Sequence, residues 1–299
     1  MVVVYIREKA NTTVRGRKDL KKVNVPFLGE IPFSISRKNR PTLEQRIKFW
    51  KKPKEVRMIV VKAGKRDIVN EAFRVLRTNF EFTIGTHPEQ NVIVFTSFNP
   101  GSGKSHIAAN MAMSLAIKKK KVLLIDGDLR HGSTSMLVGS PGEGLSDYLN
   151  GRIADIHDIL HKGEESGLVK YFDVIPIGTI PPNPTELLFT PLLEQMIRQM
   201  RQEYDYVFID CPPIEVVADT PIYEQFADRT IFVVRAGLME RSMLPEIDAL
   251  YKEKKFKNMT LILNATKARG GRYGSHYGYG YGYGYGYNYN KEKNGGAKS

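Results

Sequence analysis

Cysteine is nearly missing from this chain: Cys211 is the single one among 299 residues. An internal disulfide is therefore excluded, and the usage fits a reducing compartment. Long apolar runs are missing as well. No stretch approaches the roughly 20 residues that span a bilayer. The opening "MVVVYIREK" is too short in its apolar part for a signal peptide, and it fits the last turn of a membrane helix cut away upstream. Acidic residues are scarce at the front. Residues 1–66 hold 19 Lys/Arg against 5 Asp/Glu, whereas the remaining 233 hold 26 against 27. The net charge of +13 thus belongs to the first segment. Nucleic-acid binding, a solvated basic linker and a juxtamembrane segment compete to explain it. The third is preferred, because the apolar "VVVYI" directly precedes the charges.

What is present begins with an apolar content of 41%, enough for a sizeable core in a chain of this length. Pro26, Pro32, Pro41 and Pro53 interrupt residues 1–66, where "VPFLGEIPFS" reads as an extended docking segment. From "RDIVNEAFRVLRTNFEF" the pattern turns helical, with Ile68, Ala72, Phe73, Leu76 and Phe80 at helical spacing. Strands and helices then alternate. "NVIVFT" (91–96), "KVLLID" (121–126), "YFDVIPI" (171–177), "YDYVFID" (204–210), "RTIFVVRA" (229–236) and "MTLILNA" (259–265) read as strands. Helices are expected at "KSHIAANMAMSLAI" and at about 191–203 and 241–253. Near-continuous apolar strands alternating with helices predict an α/β fold with a mostly parallel sheet covered on both faces. Three parts follow: a basic segment over 1–66, one α/β domain over 67–268, and a tail over 269–299.

The strand–loop–helix around "SFNPGSGKS" is the context that a phosphate-binding loop requires. Pro100, Gly101 and Gly103 allow a tight loop with inward-pointing amides. Lys104 reaches the β- and γ-phosphates, and Ser105 places its hydroxyl on Mg²⁺. The new helix adds its positive dipole end. The usual first glycine of such a loop is replaced by Phe98. "VLLIDGDLR" puts Asp126, Asp128 and Arg130 just past the second strand, and "YVFIDCPP" puts Asp210 at the end of a later one. Ligands of open parallel sheets bind at the carboxyl ends of strands, where these groups converge, and carboxylates there suit Mg²⁺. The nucleotide-contacting set is Pro100, Gly101, Ser102, Gly103, Lys104, Ser105 and His106, with Asn264. The metal set is Ser105, Asp128 and Asp210. The catalytic set is Lys104, Asp126, Asp128 and Arg130. Cys211 reads as space filling.

These stretches resemble the Walker A, A′ and B motifs of the bacterial tyrosine kinases of capsular and exopolysaccharide export. "NEAFRVLR" is similar to that family's E-x-x-R-x-x-R helix through Glu71, Arg74 and Arg77, and "IPPNPTELL" to its loop before the long helix. "DLKKVNVPFLGEIP" resembles the segment joining its second membrane helix to the kinase domain. Tyr273, Tyr277, Tyr279, Tyr281, Tyr283, Tyr285, Tyr287 and Tyr289 resemble its autophosphorylation cluster, in an unusually regular tail. The resemblance implies a P-loop fold akin to the MinD and Mrp ATPases, which usually carry an extra loop lysine where Asn99 stands here. It also implies an ATP- and Mg²⁺-dependent tyrosine autokinase at the cytoplasmic face of a bacterial inner membrane. Its expected partners are further copies in a ring docked through Glu71, Arg74 and Arg77 and dispersed by phosphorylation, a membrane-embedded polysaccharide co-polymerase part, and a tyrosine phosphatase. No nucleic acid is expected.

Gly-Tyr alternation suppresses regular folding, because glycine loses much backbone entropy when ordered. Extended at ~3.3 Å per residue, residues 272–289 would span about 55–60 Å, enough to reach an adjacent subunit. A tyrosine hydroxyl, with a pKa near ~10, needs a base beside the γ-phosphate. Asp126 is the first nominee and Asp128 the second. Two rivals stand beside this reading: an ATPase switch that phosphorylates nothing, and a polysaccharide- or RNA-binding scaffold.

Overall fold

The runs Val92–Ser97, Val122–Asp126, Phe172–Ile175 and Tyr206–Asp210 are buried at every position. Strands covered on both faces must be so, which is why their sequences read as unbroken apolar runs. The computed structural model describes residues 12–33, 58–85, 87, 89–215 and 219–267. In chain order they form β1 (Phe27–Pro32), α1 (Ile68–Ile84), β2 (Val92–Ser97), α2 (Lys104–Ala116), β3 (Val122–Asp126), α3 (Leu145–Leu149) and β4 (Phe172–Ile175). Then come α4 (Pro184–Leu187), α5 (Pro191–Glu203), β5 (Tyr206–Asp210), α6 (Asp219–Glu224), β6 (Arg229–Arg235), α7 (Leu244–Lys252) and β7 (Thr260–Thr266). The sheet order is β1-β7-β6-β2-β5-β3-β4, and every pairing is parallel.

Successive side chains of a strand point to opposite faces, and the core divides accordingly. Ile93 and Phe95 of β2 pack with Phe73 and Leu76 of α1 and with Met111 of α2. Val92 and Val94 pack on the other face with Leu193, Met196 and Ile197 of α5. A third cluster joins Val14, Leu20 and Phe98 to Phe232, Ile247 and Leu261.

The sheet reaches beyond the domain start expected at 67. β1 lies in the basic segment and forms the sheet edge, with Phe27 opposite Leu261 and Glu30 opposite Leu263. Gly29 makes this possible, since a Cβ there would stand 2.8 Å from Leu76 Cδ1 of α1. Upstream, Val14 N–H donates to the Met239 carbonyl (2.8 Å). Downstream, the fully buried Asn110 of α2 accepts from Val60 N–H (2.8 Å) and Val61 N–H (3.0 Å) and donates to the Met58 carbonyl (2.7 Å). The tail tyrosines from Tyr273 to Tyr289 lie outside the described residues. Among the described residues no helix is long and apolar enough to cross a membrane.

Helix α1 starts on Asp67, whose carboxylate accepts from Asn70 N–H at 2.8 Å. Its three signature residues part company. Glu71 and Arg74 pair with each other on the surface. Arg77, expected to dock a further copy together with them, is only 8% exposed and points inward. Its guanidinium donates to the Ser114 carbonyl (2.9 Å) and hydroxyl (3.2 Å), in the last turn of α2. A cation suits that negative helix end, and the length of the arginine carries it across from α1. Arg77→Ala should therefore lower unfolding stability by about 1–3 kcal/mol through the lost charged hydrogen bonds. Glu71→Ala should leave it within about 0.5 kcal/mol. Equal denaturation midpoints for the two variants would contradict this packing role.

Candidate active site

Strand β2 ends at Ser97, and the chain turns through residues 98–103 into α2. Phe98, in the place of the customary glycine, sends its ring into the third core cluster and anchors the loop's entrance. Ser97 Oγ and Ser102 Oγ both donate to the Asn99 carbonyl, at 2.9 and 2.7 Å. Asn99 in turn donates to Glu215 Oε2 at 2.7 Å. Gly101 and Gly103 have φ of 72° and 90°, where side chains strain the backbone. A Cβ on Gly103 would also lie 2.2 Å from Asn264 Nδ2. Asn264, at the end of β7, donates to the Ser102 carbonyl (2.9 Å). Arg235, at the end of β6, donates to the Gly101 carbonyl (2.7 Å). Two strand ends therefore brace the loop from below. His106 turns toward α1 instead, with its ring edge-on to Phe73 and Nδ1 3.3 Å from Asn110 Nδ2. Burial holds its imidazole pKa below the usual value.

The parallel register sets Asp126 of β3 opposite Asp210 of β5. Gly127 N–H donates to the Asp210 carbonyl (2.9 Å) and ties the two acidic strand ends together. Lys104 reaches both sides of this edge. Its ammonium stands 3.5 Å from Asp210 Oδ1 and 3.9 Å from Asp128 Oδ2. All three side chains are nearly inaccessible. Burial opposes the lysine's charge, yet Asp210, Asp128 and Asp126 together hold its pKa above the ordinary value. Burial likewise raises Asp210, against the pull of Lys104 and a hydrogen bond from Ser105.

Asp126 is fully buried. Its Oδ2 accepts from Thr134 N–H (2.9 Å), Ser135 N–H (2.7 Å) and Ser135 Oγ (2.7 Å). Burial first, and the neighbouring Asp210 charge second, push this carboxyl up to about 6 from 3.8. An acid with a raised pKa binds its proton more tightly folded than unfolded. Its contribution favours the folded state below about pH 4 and is lost as the pH rises through about 6. Asp126→Asn keeps an acceptor for the same donors. It should flatten the fall in Tm of the nucleotide-free protein between these limits, measured by scanning calorimetry. An unchanged slope would contradict the assignment.

Two oxygens of the acidic edge, Asp126 Oδ1 and Asp210 Oδ2, are buried without a hydrogen-bond partner. Buried acceptors of this kind call for a cation, a water or a ligand donor. Among the described residues no group of three His, Cys, Asp or Glu side chains forms a ready-made metal cage. Mg²⁺ needs none, because it takes few protein ligands and completes its shell with phosphate and water. Ser105, Asp210 and Asp128 fit that demand.

Arg130, expected among the catalytic groups, is engaged elsewhere. Its Nη2 donates to Thr185 Oγ1 (2.8 Å) and lies 3.2 Å from Asp219 Oδ2. Thr185 Oγ1 donates to the fully buried Asp219 at 2.6 Å. The arginine thus ties the turn after β3 to the "IPPNPTELL" loop and to α6. Thr185, Asp219, Glu215 and Arg235 escaped the sequence reading. Of these only Arg235 gave a signal, as a cation at the carboxyl end of an apolar strand. Cys211 is fully buried, and burial raises its thiol pKa, as suits a space filler.

Residues 90–240 match the family model described as an AAA domain. The tyrosine-protein kinase CpsD of Streptococcus agalactiae is 34% identical over 208 residues, covering 69% of this chain and 87% of that protein. The chain belongs to the bacterial tyrosine kinase family. The putative tyrosine-protein kinase AmsA of Erwinia amylovora is 36% identical over 187 residues, covering 62% of this chain. The chain spans 24% of that longer relative. The solved kinase domain of the Escherichia coli tyrosine kinase ETK superposes with a TM-score of 0.72 at 28% identity, over 92% of this chain and all of that domain. The parallel α/β sheet expected from the sequence is therefore the fold shared with a solved kinase domain of this family.

Proposed function

We propose that the chain is an ATP-dependent protein-tyrosine kinase domain whose acceptor is the tyrosine cluster of a neighbouring copy. The observation that carries this reading is the meeting of Lys104, Asp128 and Asp210 beneath the loop, in a family of tyrosine kinases. The loop amides and Lys104 hold the β- and γ-phosphates. Mg²⁺, when bound through Ser105, Asp210 and Asp128, neutralises charge on the phosphate oxygens. The phenolic oxygen attacks the γ-phosphorus, the bond to the β-phosphate oxygen breaks, and ADP leaves. The phenol's proton passes to a carboxylate. Asp126 is the nominee for that base, since a pKa near 6 suits proton transfer at neutral pH and Oδ1 has no partner. Asp128 is the alternative, with Oδ1 held by Arg130 N–H and the His131 ring. Arg130 acts as a positioning residue through Asp219.

The reading extends to assembly. The surface pair of exposed Glu71 and half-buried Arg74 would meet a neighbouring copy in a ring on the cytoplasmic face of the inner membrane, beside a polysaccharide co-polymerase part. Each phosphotyrosine adds about −1.5 to −2 of charge at neutral pH, and crowded tails would disperse the ring until a phosphatase removes the phosphates. Labelled ATP tests the chemistry: radioactivity should appear on the protein, and release as free phosphate alone would favour an ATPase switch. Transfer between chains has its own test. A Lys104→Met chain mixed with an active chain ending at Arg269 should become labelled. A silent inactive chain, beside an intact enzyme that labels itself, would mean transfer within one chain.

A further inference from the structure

The described residues 12–33 of the basic first segment have a shape of their own. A groove of about 450 Å³ opens between the turn at Asp19–Lys22 and the starts of β1 and β7. Arg17, Lys18 and Lys21 form its rim, and all three are exposed. Val25, Phe27 and Leu261 are among the apolar side chains that line it. Among the described residues no carboxylate pairs with the three rim cations; the acid nearest in sequence, Asp19, is held by Arg241 at 3.1 Å and by Arg15 N–H at 2.8 Å. The groove lies toward the amino-terminal ends of β1 and β7, where Phe27 pairs with Leu261. The nucleotide loop lies at the opposite, carboxyl ends, where Asn264 braces it.

We propose that this groove binds an anionic phospholipid of a membrane surface, with the headgroup phosphate on the Arg17, Lys18 and Lys21 rim and an acyl chain on the apolar lining. Charge complementarity carries the choice. Residues 34–57 of the same segment add nine Lys/Arg against two Asp/Glu, so the attraction is to an extended negative surface rather than to one ion. An apolar floor under a cationic rim suits an amphiphile. It suits a nucleic acid poorly, because the Arg17 guanidinium covers the Phe27 ring at 4.9 Å and so occupies a face on which a base would stack. The proposal stands independently of the kinase reading. It predicts that a membrane-held domain keeps its catalytic edge clear of the lipid.

The test is co-sedimentation of the full chain with phosphatidylglycerol vesicles and with phosphatidylcholine vesicles. Binding should be confined to the anionic lipid and should weaken between 0.1 and 1 M salt. Arg17→Gln with Lys18→Gln and Lys21→Gln should lower the partition coefficient on the order of 10²-fold, since each cation near an anionic surface contributes about fivefold. The comparison variant removes three exposed lysines elsewhere, Lys118→Gln with Lys119→Gln and Lys120→Gln. It should bind nearly as the parent does. Circular dichroism melting confirms that both variants are folded. Equal losses in the two variants would overturn the groove in favour of diffuse charge. No vesicle binding by the parent, or binding to an oligonucleotide in its place, would overturn the lipid.

Discussion

Replacing Lys104 by Met should cut tyrosine phosphorylation by on the order of 10³-fold or more while leaving a folded domain. The rate effect follows from its place. The ammonium is set between Asp128 and Asp210 beneath the loop, and charge neutralisation at a transferring phosphoryl group is worth that much. The stability effect is smaller because two terms oppose each other. Methionine fills similar space and removes the desolvation of a buried ammonium, but it leaves Asp210 without its cation. Burial already raises the Asp210 pKa, and losing the lysine's charge raises it further, so the variant's carboxyl should hold a proton more readily and soften the loss. Phosphorylation at near the parental rate by a correctly folded Lys104→Met chain would remove the loop from the mechanism.

Asp210→Asn should separate activity from stability even more sharply. Activity should fall about 10²–10³-fold, because a preorganised charged group beside the metal and phosphates is lost. Stability without nucleotide should hold or rise. Asp210 is fully inaccessible, one of its oxygens has no partner, and it faces Asp126 across paired strands. Neutralising it removes a desolvated charge and relieves Asp126, whose pKa should drop from about 6. A calorimetric Tm at or above that of the parent, together with lost labelling, is the expected pair of results. A large drop in Tm would show that Asp210 serves mainly as the structural partner of Lys104.

Most of the sheet was legible because its signal is local. A strand buried on both faces announces itself as an apolar run, and β2, β3, β5, β6 and β7 fall within a residue or two of where their sequences place them. The strand ends were legible for the same reason: an Asp immediately after VLLI or VFI stands out. What escaped depends on long-range pairing. "FLGEIP" carries a glycine and a proline that break the strand pattern, and its partner Leu261 is more than two hundred residues away. Helical spacing put Arg74 and Arg77 three residues apart on α1. It could not show that the longer reach of Arg77 ends on Ser114. Phe98 looked like a defect in the loop, although its ring has a core to fill. Thr185 and Asp219 looked like ordinary polar residues until the fold brought them to Arg130.

Intact-mass spectrometry of the purified chain before and after incubation with Mg-ATP separates a tyrosine kinase from an ATPase. A ladder of masses separated by one phosphoryl group, extending to several additions, is the expected result. The ladder should disappear in Lys104→Met alone and when the eight tyrosines from Tyr273 to Tyr289 are changed to Phe. A single unshifted mass after prolonged incubation, with ATP consumed, would contradict a tyrosine kinase and leave an ATPase in its place.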